Sequence, residues 1–204
     1  MKKNKCNFKK VFIHELGHFI SHLILYENIG EYDPVKIEII WDNERKCYFG
    51  KHIHKNKNSF NGLPFYINES RIQEFPIILN TLYGCIFQAI YINNKVELQL
   101  CRECIDGSND NSQVNKVYLD YQNYHKKEKS EEIISMHLDK VLELNLGELL
   151  LKLDEDFLLS TKDPDSSYFE YSSEYLISNP IIVEIKFRLS SLFMRAYNDL
   201  KRLK

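Results

Sequence analysis

The sequence predicts an α+β fold, mainly helical, with a small antiparallel β-sheet. Two patterns predict it. Apolar residues recur at helical spacing over most of the chain. Two neighbouring segments between residues 35 and 54 read instead as strands, and a polar turn separates them. A hydrophobic fraction of 44% over 204 residues supplies enough apolar side chain for a true core.

The first helix is expected from about Lys9 to Glu27, with Phe12, Leu16, Phe19, Ile20, Leu23 and Ile24 at helical spacing. Gly17 inside it disfavours helix by about 1 kcal/mol relative to alanine, which suits a close approach by a neighbouring element. Asn28-Ile29-Gly30 ends it. Val35 to Trp41 and Lys46 to His54 form a hairpin around the turn Asp42-Asn43-Glu44-Arg45. Lys55 to Gly62 is a polar loop. Ile77 to Ile92 is apolar enough for a buried helix, and Pro76 marks its start. Lys95 to Cys104 fits either strand or helix. After the turn-rich segment Asp106 to Asn111, helices are expected over Ser112–Lys127, Ser130–Leu144 and Gly147–Leu159. Asp163-Pro164-Asp165 breaks the chain, and Pro180 opens a last helix to Leu203. The organisation expected is one domain over 1–159 with a helical extension over 160–204 packed on it.

Charge and composition remove several classes. With a net charge of −2 nothing global suggests a nucleic-acid binder, and no nucleic-acid partner is expected. The longest apolar run, Phe75 to Ile92, is short for a membrane span and contains Pro76, Asn80 and Gln88. No membrane segment or secretory leader is expected, and five cysteines, an odd number, suit reduced thiols in a cytoplasmic protein. No phosphate-binding loop of the Walker type occurs.

One motif carries chemistry. His14-Glu15-Leu16-Gly17-His18 is an H-E-x-x-H pattern within the first helix. Residues four apart lie one turn apart on nearly one face, so two imidazoles can hold one Zn2+ ion, with Glu15 beside it as general base. Zinc in such a site acidifies a bound water and polarises a carbonyl. The bland alternative is two satisfied histidines and a surface glutamate on an ordinary helix. A metzincin has a further histidine six residues on, where this chain has Ile24, and a glycine where it has Ser21, so that class is excluded. The third ligand is open from spacing alone: Glu69 is a carboxylate candidate, and so are the aspartates.

The motif and the segments C-terminal to it resemble the FtsH-like zinc proteases. His14 to His18 resembles that family's H-E-A-G-H helix, and Cys47-Tyr48-Phe49-Gly50 its short edge strand. Leu82 to Gln88 is similar to its buried helix, and Gly107-Ser108-Asn109-Asp110-Asn111 to its glycine-rich turn. The resemblance spans roughly residues 11 to 155. It implies a zincin-like helical core, a zinc metallopeptidase acting on a peptide or protein, and Asp110 as third zinc ligand beside His14 and His18. Leu16 replaces the family's usual alanine, the turn before Asp110 is one residue shorter, and neither the ATPase module nor a membrane segment is present. A stand-alone, ATP-independent peptidase domain is therefore implied. Without the resemblance, Asp110 reads as a helix cap in a polar turn. The competing function is a zincin-fold interaction or regulatory protein that has lost activity.

Weaker signals remain. Cys101 and Cys104 form a lone C-x-x-C, which His52 and His54 can complete as a structural zinc site; buried free thiols are the simpler account. His52 and His54 lie on the strand that resembles the family's substrate-binding edge, where an extended peptide can add as a further strand. His22, four residues after His18, reads as a core or supporting residue. His125 and His137 are expected at the surface. The aromatic run Tyr168-Phe169-Glu170-Tyr171 with Tyr175 is expected to cover the core. Spacing defines neither substrate nor oligomeric state.

Overall fold

From Val11 to Leu25 every residue of the first helix except His18 is buried. A helix apolar on all sides sits inside a fold, and this one is the centre about which the others pack. The computed structural model describes residues 5–55, 75–93, 124–153 and 166–203. The described elements are α1 (Lys5–Ile29), β1 (Asp33–Asp42), β2 (Cys47–Lys55), α2 (Phe75–Asn93), α3 (Tyr124–Glu143) and α4 (Leu146–Lys152). They continue with β3 (Tyr168–Ser172), α5 (Ser173–Ile177) and α6 (Pro180–Lys201). The protein is mainly helical with a small three-stranded antiparallel sheet.

The sheet has the order β2-β1-β3 and lies on one side of α1. Its inner face follows the strand alternation. Ile37 pairs with His52 on one side and Tyr171 on the other, and Ile39 with Gly50 and Phe169. Ile37, Ile39, Phe169 and Tyr171 are buried. Pro34, which has no N–H to donate, sits at the one irregularity in the β1–β2 register. On the outer face Glu38 pairs with Glu170, a like-charge pair that repels; Lys36 lies 2.8 Å from the first and 2.7 Å from the second and offsets it.

The opposite side of α1 is covered by α2, and α6 packs against α1, α2, α3 and α4. The apolar run over α2 is thus a core helix, with Ile78, Leu79, Leu82, Tyr83, Ile86 and Phe87 essentially inaccessible. Fully burying side chains of this size contributes roughly 1.5–3 kcal/mol each before entropy is set against it. Among the described residues no helix is long and apolar enough to cross a membrane.

Several boundaries differ from expectation. Helix α3 begins by Tyr124, because Ser130 does not cap it: the buried Ser130 hydroxyl donates back to the Lys127 carbonyl within the helix. Helix α4 ends at Lys152, where Leu153 turns extended. The aromatic run does cover the core, but as a strand, with Phe169 and Tyr171 turned inward. Residues 166–203 thus add a strand to the sheet as well as a helix to the core. Pro180 opens α6 as expected, with the Asn179 side chain accepting from the amides of Ile181 and Ile182.

Candidate metal centre

His14 and His18 project from α1 toward α2, and three positions of α2 meet them. Asn80, Gly84 and Gln88 are spaced by four, so they form one row along α2. Gln88 is buried and its Oε1 lies 3.1 Å from Nδ1 of His14. The Asn80 backbone carbonyl lies 3.4 Å from Nδ1 of His18. A carbonyl oxygen only accepts, so in both contacts the Nδ1–H donates. In a neutral ring with that tautomer the lone pair is on Nε2.

Those two Nε2 atoms lie 3.3 Å apart. Facing lone pairs repel, and a cation between them reverses the sign. Two nitrogens bound at roughly 2.0–2.1 Å to a tetrahedral zinc lie about 3.3–3.4 Å from each other. The pair therefore fits zinc without rearrangement, and each ring has the second hydrogen bond that metal-binding histidines characteristically make.

Glycine makes room for this. A Cβ at Gly84 would fall 2.7 Å from Nε2 of His14 and closer still to Nε2 of His18. A Cβ at Gly17 would meet the backbone of Tyr83, at 2.7 Å from its carbonyl carbon. The two helices thus touch glycine against backbone, and that contact brings the imidazoles over α2. Ser21, next along α1, donates to the His18 carbonyl at 2.9 Å and contacts the Asn80 side chain.

Glu15 is buried on the sheet side of α1. Strand β2 crosses directly over it: a Cβ at Gly50 would lie 2.6 Å from Glu15 Oε1. The carboxylate is therefore held between the histidine-bearing helix and β2, an edge strand of the described sheet. It is not the surface glutamate of the bland alternative.

Asp110 and Glu69, the candidate third ligands, lie outside the described residues, and so do Cys101 and Cys104. Of the other cysteines, Cys47 is half-buried and free, and Cys85 is buried. His137 corrects the surface expectation. It is buried between α3 and its neighbours, with Nε2 2.9 Å from the Tyr83 hydroxyl. Burial lowers its pKa to about 4 and pushes that of Tyr83 well above the ordinary tyrosine value. His125 has no described side chain.

His22 is a buried residue, as expected. Its ring packs on those of His52 and His54. Burial, and then the neighbouring imidazoles, lower the pKa of His22 and of His52 well below the usual histidine value, and that of His54 to a lesser degree.

Sequence reasoning found the motif and missed its supports. Asn80 and Gln88 were visible as polar interruptions of an apolar run, and their spacing with Gly84 was the signal. Comparisons with known protein families, with curated proteins and with solved structures find no match.

Proposed function

We propose that this chain is a zinc-dependent metallopeptidase with a zincin-like, FtsH-like core that works without ATP. One observation carries the reading: the Nε2 atoms of His14 and His18, aimed at each other 3.3 Å apart, each on a ring steadied from α2. His14 and His18 hold the zinc, and Asp110 completes the set, with Glu69 as the other candidate. When bound, the metal supplies a Lewis acid and an acidified water. Glu15 takes the proton of the attacking water and returns it to the leaving amine. Its burial beneath Gly50 supports that role.

The substrate is an extended peptide or protein segment. Among the described residues β2 is an edge strand, and Gly50, which lies over Glu15, is part of it. A peptide added along that edge by main-chain hydrogen bonds passes the carboxylate. The free thiol of Cys47 suits the reducing, cytoplasmic setting proposed.

The test is Glu15→Gln, made in protein loaded with zinc and assayed on unfolded casein. The variant should keep its zinc and lose hydrolysis by at least about a hundredfold, the usual weight of a general base. Equal cleavage by wild type and variant overturns the role of Glu15. Bound zinc without any hydrolysis by the wild type favours the interaction-protein reading.

A further inference from the structure

The helical step from His14 to His18 to His22 carries each ring about 40° further round α1. His14 and His18 face α2, whereas His22 meets the inner face of β2. There it joins His52 and His54, two residues apart on one side of the strand. The three ring centroids are 4.6, 4.3 and 5.5 Å from each other. One ligand nitrogen from each ring lies within 4.8 Å of the others. Tyr32 stacks on His22 at 5.2 Å, and Phe19 meets His52 edge-on at 6.0 Å.

Without an ion this cluster is poorly satisfied. His22 Nδ1 and His52 Nδ1 are 3.0 Å apart, so one of them carries the hydrogen and the other accepts it. Nε2 of His52 is buried with no hydrogen-bond partner among the described residues. Leaving such an atom unpaired costs about 1–3 kcal/mol. Imidazole ligates a metal in its neutral form. Three imidazoles packed ring against ring, one with a buried unpartnered nitrogen, are unfavourable as core packing and favourable as a ligand set.

We propose that His22, His52 and His54 form a second site for a late first-row divalent transition metal, separate from the His14–His18 pair. Three imidazoles and no carboxylate among the described ligands select zinc, cobalt, nickel or copper over magnesium or calcium. Three protein ligands leave a fourth tetrahedral position. His52 and His54 are both half-buried, so the ligand set is not sealed from solvent. The site does not depend on the peptidase reading, since none of its ligands belongs to the H-E-x-x-H motif.

The experiment is titration of the metal-free full chain with Co2+ and Zn2+, following the cobalt ligand-field absorption and the bound metal per chain. The wild type should bind two equivalents, His22→Gln/His54→Gln one, and His14→Ala/His18→Ala one. A wild type that binds one equivalent, kept in His22→Gln/His54→Gln, overturns the second site and leaves the first standing. One equivalent kept only in His14→Ala/His18→Ala retains the second site and overturns the first. No binding by the wild type overturns both. Imidazole 15N shifts of the zinc-loaded wild type give the same answer without any substitution. Five of the seven histidines should move to metal-bound positions. Movement of only His14 and His18 overturns the proposal.

Discussion

Gly84 lies against the edge of the His18 ring so closely that a methyl group does not fit between them. The contact joins the H-E-x-x-H motif to a helix more than sixty residues further along the chain. Close helix approach, ring placement and ligand spacing are therefore one structural fact, and a single added carbon tests all three.

Gly84→Ala should weaken zinc binding at least about tenfold. The added Cβ meets both Nε2 atoms, at 2.7 Å in the case of His14 and less for His18, so the rings must turn away from the geometry that suits the ion. Competition against a chromophoric chelator measures this. Unchanged affinity would mean that the metal, if bound, is not between these rings.

Gln88 gives a sharper test, because its effect has a chemical sign. Gln88→Leu removes the acceptor for Nδ1–H of His14 and leaves that donor buried, and zinc affinity should fall about 10–100-fold. Gln88→Glu restores an acceptor, and a stronger one, so it should recover the affinity. A packing effect alone would not distinguish glutamate from leucine in that direction. Equal losses in the two variants would reduce Gln88 to a space-filling residue.

Gly17→Ala sets two effects against each other. Helix propensity favours alanine by about 1 kcal/mol. The Cβ, however, meets the carbonyl and amide backbone of α2 at Tyr83 and Gly84, which cannot rotate out of the way. Overpacking of this kind costs about 1–3 kcal/mol, occasionally more, so the net change should be destabilising. Urea denaturation decides it, and a stabilised variant would show that α1 and α2 do not touch there.

These residues also mark what could be read from the sequence. His14, Glu15 and His18 were legible because their relation is local: a turn of helix fixes it wherever the helix packs. Gly17 was legible as an anomaly, since a helix tolerates glycine at a cost. Asn80 and Gln88 were legible as polar residues but not as histidine partners, because that role exists only when two distant helices pair. His52 and His54 were visible as strand neighbours; that His22 meets them depends on which face of α1 the sheet covers. Strand β3 was missed for the same reason. Its alternation of inward Phe169 and Tyr171 is only five residues long, and it is stabilised by β1, which precedes it by some 130 residues. Asp110 and Glu69, the two candidate third ligands, lie outside the described residues, and Asp110 is nominated by the resemblance and not by packing.

His137 predicts how stability depends on pH. In the unfolded chain a histidine takes up its proton near pH 6.5, whereas in the fold burial holds this one unprotonated until about pH 4. Between those values the unfolded state binds more protons than the folded state, so stability falls as the pH is lowered through that window. A shift of this size corresponds to about 3 kcal/mol lost by pH 4. His137→Gln keeps an acceptor for the Tyr83 hydroxyl and removes the titration. Its urea midpoint should therefore fall less steeply than the wild type's between pH 6.5 and 4, by close to one proton's worth of slope. Parallel curves for the two proteins would place the acid sensitivity elsewhere, first of all in the His22, His52 and His54 cluster, whose lowered values act in the same direction.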